Sequence, residues 1–101
     1  MNGTMRVSLW GKRSWCVDVE ARLDSGAART SIDRGFADLL GLAVEGSVKV
    51  RNANGSQKRD LVWIEVEDEA GDIVELEASL ADRSDLSYPA ILGRDYMGVS
   101  E

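Results

Sequence analysis

Apolar and polar residues alternate along much of the chain, which is the periodicity of a strand with one buried face. The first run includes Val7 and Leu9, and a second run extends from Trp15 to Leu23. Gly11 and Lys12 interrupt the alternation between the two runs. The pattern therefore predicts a hairpin with its tip near residues 11–13 and a second strand that leads directly into residues 24–27.

Strand-like alternation returns in the middle of the chain. It begins at Val48 and Val50, breaks over residues 52–56, and resumes over residues 61–66. The break contains Asn54-Gly55, a dipeptide typical of a tight hairpin turn. A polar turn over residues 68–72 then precedes a third alternating run over residues 74–80. This part of the chain predicts two successive hairpins.

One segment has the spacing of a helix rather than a strand. Ile32, Phe36, Leu39 and Leu40 follow one another at helical intervals, with Ser31 or Asp33 as the candidate N-cap and Gly41 as the candidate end. Near the C-terminus, residues 88–97 read as a buried apolar strand that enters a short helix or turn. Residues 1–101 are thus predicted to form a single all-β domain with one or two short helices.

The amino-acid composition excludes several classes of function and of catalytic group. A net charge of −6 argues against a general nucleic-acid binder, and no apolar run approaches the roughly 20 residues that span a bilayer. Histidine is absent, which removes Ser-His-Asp and Cys-His catalysis, and the single cysteine, Cys16, has no catalytic partner. We expect a cytoplasmic protein without cofactor or metal, whose chemistry depends on carboxylates.

Residues 24–27, Asp-Ser-Gly-Ala, follow the predicted second strand and place a carboxylate in a tight loop. A glycine here allows close backbone approach, and a small hydroxyl residue can bond backbone donors of a facing loop. Two such carboxylates held together share one proton, so that one activates water while the other polarises a carbonyl group. The tripeptide alone is more typical of an ordinary turn, and only its context favours the catalytic interpretation.

That context resembles the retropepsins, a family of aspartic peptidases. Residues 23–32 resemble their catalytic loop, residues 91–95 (Ile-Leu-Gly-Arg-Asp) resemble their second signature, and the hairpin over residues 48–66 lies where they have a flap. The resemblance implies a retropepsin-like half-barrel that forms a homodimer and cleaves a peptide or protein substrate. It assigns catalysis to Asp24, Ser25 and Gly26, substrate binding to Ala27, Arg51, Asn52, Ala53, Asn54, Gly55 and Lys58, and a structural signature to Thr30, Ile91, Leu92, Gly93 and Arg94.

Residues 80–94 are most similar to bacterial proteins labelled ATP-dependent zinc proteases, some of them encoded beside ATP-grasp amino-acid ligases. This similarity implies a substrate that is glutamate-rich or glutamylated. Six basic residues lie in the motif-bearing segments (Arg29, Lys49, Arg51, Lys58, Arg59 and Arg94), which suits an acidic substrate; charged hairpin edges that discourage aggregation are the other explanation.

The chain departs from the viral retropepsins in two respects. The acidic residue that pairs there with the signature arginine is replaced by Ala28, so Asp95 or an acid elsewhere is expected to pair with Arg94. The C-terminal strand that builds the viral dimer is also lacking, and the N-terminal hairpin is the candidate replacement. A non-catalytic module that dimerises or binds peptides remains the alternative function. Trp63 is a candidate for a substrate pocket, for dimer packing or for simple exposure.

Overall fold

The computed structural model describes residues 2–11, 15–52, 55–82 and 88–98. Within these ranges the chain forms mainly strands, which confirms the all-β prediction. The elements in chain order are β1 (Asn2–Trp10), β2 (Cys16–Asp24), β3 (Ser31–Asp33), α1 (Arg34–Leu39), β4 (Gly46–Asn52), β5 (Gly55–Glu67), β6 (Ile73–Ala81), β7 (Ala90–Leu92) and α2 (Arg94–Met97). Among the described residues, neither helix has the length and apolar character needed to cross a membrane.

The seven strands form one sheet in the order β1-β2-β7-β3-β6-β5-β4. Strand β1 also pairs with β5, Ser8–Trp10 lying antiparallel to Glu65–Glu67, so that the sheet closes on itself through these two strands. Closure removes a sheet edge and encloses a core. Beyond the closure, β4 and the first half of β5 continue as a hairpin, paired from Gly46–Leu61 to Asn52–Gly55.

The core is built from the inward-facing residues of the alternating runs. The largest side chains that are almost fully buried are those of Leu9, Ile32 and Leu92, followed by Val7, Val62 and Val66. Burying a side chain of this size is worth about 1.5–3 kcal/mol. Burial of these inward-facing side chains therefore supplies the main stabilisation of the fold and holds the ends of β2 and β7 in place.

Two sequence predictions about local structure need correction. Ile32 does not begin a helix, because it is the central residue of β3 and pairs with both Leu80 and Ala90. The helix starts at Arg34 and ends at Leu39, with Asp33 and not Ser31 as its N-cap; the Asp33 carboxylate accepts a hydrogen bond from Gly35 N at 2.9 Å. The apolar spacing of residues 32–40 arises from a strand residue followed by one short helix.

Other local predictions are confirmed. Residues 68–72 form the turn between β5 and β6, where the Asp68 carboxylate accepts hydrogen bonds from Ala70 N and Asp72 N. The C-terminal apolar segment becomes β7 and then α2. Cys16 is exposed. The tip of the first hairpin lies partly outside the described residues.

Candidate active site

Asp24 is the last residue of β2, and that strand is fixed on both sides. Strand β2 pairs antiparallel with β1 along its whole length, and it pairs parallel with β7 through Arg22–Ile91 and Leu23–Leu92. After Asp24 the chain turns sharply: Gly26 N donates to Asp24 Oδ1 at 2.9 Å, and Ala27 N donates to the Asp24 carbonyl at 3.1 Å. The sheet and the turn together hold the half-buried carboxylate in one orientation.

Gly26 is needed for this geometry because of the space beside the carboxylate. A Cβ atom at Gly26 would lie 3.2 Å from Asp24 Oδ1, tighter than ordinary side-chain contacts. A larger residue would therefore displace either the carboxylate or the turn. This close approach is a structural reason for the Asp-Ser-Gly order.

The segment after β7 lies directly behind this loop, and we call residues 93–95 the clamp. Arg94 N donates to Ala27 O at 2.8 Å, and Asp95 N donates to Ala28 O at 3.3 Å. A Cβ at Gly93 would lie only 2.7 Å from Ala27 O and 2.8 Å from Arg29 C, so no other residue fits without a backbone shift. The contact between the two sequence motifs is a close backbone crossing.

Thr30 joins the loop to the clamp through its side chain and is completely buried. Its hydroxyl donates to Asp95 Oδ1 at 2.7 Å and accepts from Gly93 N at 3.1 Å. Its backbone N–H donates to Asp95 Oδ2 at 2.9 Å. Buried polar groups need partners, and this network supplies them for both segments. Thr30 is thus the centre of the structural signature.

Asp95, the named candidate partner of Arg94, does not pair with it. Asp95 bonds to Thr30 instead, and no carboxylate among the described residues forms an ion pair with Arg94. The Arg94 guanidinium donates to the carbonyl oxygen of Ser25 at 2.8 Å. The loop is therefore fixed through a backbone acceptor, which explains how the site dispenses with an acid at Ala28.

A groove of about 380 Å³ lies between the Asp24 loop and the β4–β5 hairpin, and we call it the loop groove. It is lined by Ala27, Ala28, Arg29, Ser31, Val48, Lys49, Arg59 and Ser79. Within the described part of the chain, the Arg59 Nε atom is buried and has no hydrogen-bond partner. An unpaired buried donor is costly, so this atom is suited to an acceptor brought by a ligand.

The structure describes some of the predicted flap residues and not others. Arg51 and Lys58 are exposed on the hairpin, and Lys58 pairs with Lys49. Because side chains alternate along a strand, Lys58 and Arg59 project from opposite faces. Gly55 starts β5 with a φ of +117°, which favours glycine. The side chain of Asn52 is not described, and Ala53 and Asn54 lie outside the described residues.

Sequence reasoning missed four residues of the loop groove: Ala28, Ser31, Val48 and Ser79. Ser31 and Ser79 meet because β3 and β6 pair in parallel, and their hydroxyl oxygens are 3.0 Å apart. No local pattern signals such a pairing. Among the described residues, no group of three or more His, Cys, Asp or Glu side chains is arranged to hold a metal ion.

A closed sheet with an aspartate loop crossed by a second glycine motif defines the retropepsin-like fold of aspartic peptidases. Residues 6–96 match the family described as aspartyl protease, and the chain belongs to that family. No curated protein matches the chain. The solved structures include many with this fold.

Three solved structures illustrate the likeness. The solution structure of simian foamy virus (mac) protease is 15% identical, with a TM-score of 0.66 over 98% of this chain and 99% of that one. EIAV protease, complexed with the inhibitor HBY-793, is 16% identical, with a TM-score of 0.67 over 100% and 92%. A retropepsin-like aspartic protease from Rickettsia conorii is 16% identical, with a TM-score of 0.63 over 98% and 81%. At these identities the likeness establishes the fold.

Proposed function

We propose that the chain is an aspartic endopeptidase in which two copies each contribute Asp24 to one active site. The observation that carries the proposal is the placement of Asp24 at the end of a fixed strand, in a loop held by the clamp. The sequence contains one Asp-Ser-Gly and no Asp-Thr-Gly. One chain therefore supplies half of a carboxylate pair, and a symmetric dimer would complete it.

The proposed chemistry follows from two carboxylates that share a proton. The ionised Asp24 takes a proton from a water molecule as its oxygen attacks the carbonyl carbon of the scissile peptide bond. The protonated Asp24 of the second copy donates to the carbonyl oxygen, which gives a neutral gem-diol. Proton transfer to the amide nitrogen then breaks the C–N bond and releases a carboxylic acid and an amine.

The geometry of the loop supports this role. Asp24 Oδ1 is held by Gly26 N, while Oδ2 has no hydrogen bond within the described residues, so it is available for a water molecule and a second carboxylate. The clamp bonds at Ala27 and Ala28 restrict movement of the loop. Groups held in place before the reaction stabilise a transition state at little reorganisation cost.

The N-terminal hairpin is the proposed dimer contact. Strand β1 pairs with β2 along its whole length, but with β5 over Ser8–Trp10 alone. The other edge of residues 3–7 has no strand partner among the described residues, and an exposed edge is a template for pairing with another chain. The Asp24 loop follows the strand that pairs with β1, so contacts at this edge lie close to the site.

We further propose that the substrate carries glutamate, which the resemblance of residues 80–94 to the bacterial group labelled zinc proteases implies. The support is the loop groove next to the Asp24 loop, which Arg59 lines and where its buried Nε has no hydrogen-bond partner among the described residues. A carboxylate side chain would satisfy that N–H and make a charge-assisted hydrogen bond. Arg51 and Lys58, on the exposed hairpin, would act through longer-range attraction.

Asp24→Asn tests the chemistry, because the amide has almost the same shape and cannot act as the base. We expect the variant to keep the parent fold and lose turnover on a mixture of diverse peptides, assayed from acidic to neutral pH. Specific activity of the parent is expected to fall on dilution and to be unaffected by EDTA. An active monomer, or activity lost with EDTA and restored by zinc, would refute the Asp24 pair; a parent without turnover would favour the non-catalytic module.

Arg59→Met tests the substrate preference, with Lys58→Met on the opposite face of the hairpin as the matched control. The assay compares kcat/KM for peptides that differ by Glu, Gln or Lys near the scissile bond. Losing a hydrogen bond between charged groups, about 1.5–3 kcal/mol, predicts that the Glu-over-Gln preference falls roughly tenfold or more in Arg59→Met. Lys58→Met is expected to change the Glu-over-Gln preference by about threefold or less. This smaller change is expected to disappear in 0.5 M salt, which screens exposed charges. Equal rates on all three peptides would refute glutamate selection.

A further inference from the structure

A second groove, of about 270 Å³, opens elsewhere on the surface, and we call it the indole groove. It is lined by Trp10, Gly11, Leu42, Glu45, Trp63, Ile64, Glu65 and Glu75. None of these residues lines the loop groove or belongs to the Asp24 loop or the clamp. The proposed peptidase activity therefore gives no reason for the composition of this surface.

The two tryptophans form aromatic walls. Trp10 Nε1 donates to Glu67 Oε1 at 2.8 Å, which fixes the orientation of its ring. Trp63 is 46% exposed, whereas its neighbours Val62 and Ile64 are buried on the other face of β5. A large aromatic surface that remains open beside an oriented indole is suited to contact a ligand.

The charged residues that line the groove among the described residues are all acidic. Glu65 lies directly opposite Glu75 in the antiparallel pairing of β5 and β6, and like charges at such positions destabilise a sheet. Glu45 is the third carboxylate of the groove. Among the described residues, none of the three forms an ion pair, whereas Glu77, farther along the same face, pairs with Arg29 at 3.3 Å. Within the part of the chain that the structure describes, Glu65 and Glu75 therefore lack a cationic partner such as the one that Glu77 has in Arg29.

We infer that the indole groove binds a lysine or arginine side chain from a basic segment of another polypeptide. A cation against an indole face gains a cation–π interaction, and the carboxylates supply the complementary charge. The same ligand relieves the repulsion between Glu65 and Glu75. An acidic or purely apolar segment would leave that repulsion in place. The inference concerns binding and is independent of whether Asp24 is catalytic.

The test uses the ¹⁵N-labelled full chain with Asp24→Asn, so that no added peptide is cleaved. The probe is the blocked pentapeptide Ala-Arg-Ala-Arg-Ala, and the control replaces both arginines by citrulline, which is similar in shape and uncharged. The chain has three tryptophans. We expect the indole N–H resonances of Trp10 and Trp63 to shift saturably with the arginine peptide, while that of Trp15 and the citrulline titration show no such shift. Shifts confined to the Asp24 loop, or equal shifts with both peptides, would overturn the inference.

Variants identify the groups involved. Glu65→Gln/Glu75→Gln is expected to weaken binding about fivefold, and Trp63→Leu about two- to fivefold. The controls are Asp38→Asn/Glu69→Gln, with the same change in net charge, and Trp15→Leu, which removes an exposed tryptophan outside the groove. Controls that weaken binding as much as the groove variants would reduce the effect to general charge and overturn the site.

The protein without peptide offers an independent measurement. If Glu65 and Glu75 repel each other, Glu75→Gln raises the urea midpoint of unfolding, and the arginine peptide stabilises the parent more than this variant. A lower midpoint would mean that a cation of the chain already neutralises the pair. Lys12 and Arg13, which follow Gly11 in the sequence, would be the first to examine. That outcome would overturn the proposal.

Discussion

Thr30→Val tests whether one buried hydroxyl holds the Asp24 loop to the clamp. Thr30 is 0% exposed, and its hydroxyl contacts two groups more than sixty residues away in the sequence. Valine has nearly the same shape and puts a methyl group where the hydroxyl was. The substitution therefore removes hydrogen bonds while leaving the packing almost unchanged.

The expected cost follows from the two bonds that are lost. Gly93 N is buried and loses its acceptor, for which an unsatisfied donor costs about 1–3 kcal/mol. Asp95 loses the 2.7 Å bond from the hydroxyl, but its exposed carboxylate can bind water instead, so this loss adds about 1 kcal/mol or less. We expect a total of about 2–3 kcal/mol, equivalent to a Tm lower by roughly 10–20 °C for a domain of this size.

Urea unfolding followed by tryptophan fluorescence measures this difference, with Thr30→Ser as the control. Serine keeps the hydroxyl and loses one methyl group, which costs about 1 kcal/mol. All variants are compared at one protein concentration, because dimerisation would shift the apparent stability. If Thr30→Val were as stable as Thr30→Ser, the hydroxyl would not hold the loop and the reasoning about the clamp would be refuted.

Three other predictions concern the same region. Gly93→Ala is expected to lower the free energy of unfolding by about 1–3 kcal/mol, because its Cβ would meet a loop carbonyl at 2.7 Å. The control Gly46→Ala is expected to change little in the same urea assay, because its Cβ would make only an ordinary contact at 3.9 Å. Gly26→Ala is expected to lower kcat with little effect on Tm, because its Cβ would crowd Asp24 Oδ1; an unchanged kcat would contradict the proposed need for a fixed carboxylate. Burial raises the pKa of the Tyr96 hydroxyl above its usual 10.0, and the charges of Asp68 and Asp72 in the β5–β6 turn raise it further. Because the folded protein holds this proton more tightly than the unfolded chain does, the contribution of Tyr96 to stability is present below pH 10 and is lost as the pH rises further. Tyr96→Phe is expected to flatten that alkaline loss in pH-dependent unfolding.

The sequence by itself determined the long strands and the position of the Asp24 loop. Alternation of apolar residues identifies a strand whenever one face is buried, and turn residues mark where it ends. Both signals are local. For this reason β2, the hairpins and the turn over residues 68–72 were predictable, and Asp24 was recognised at the end of a strand.

The tertiary structure alone decided the features that depend on residues distant in the chain. Strand β3 has three residues, too few for a periodic pattern, and it exists because β6 and β7 pair with it on its two sides. This is why Ile32 was misassigned to a helix.

The bonding of the clamp depends on the same long-range contacts. Arg94 reaches the Ser25 carbonyl, while Asp95 reaches Thr30, and the sequence shows the charges without showing which acceptor each one meets. Ser31 and Ser79 enter the loop groove through a parallel pairing that brings together distant segments. Local propensity specifies strands and turns, but the choice of partner depends on how the sheet closes.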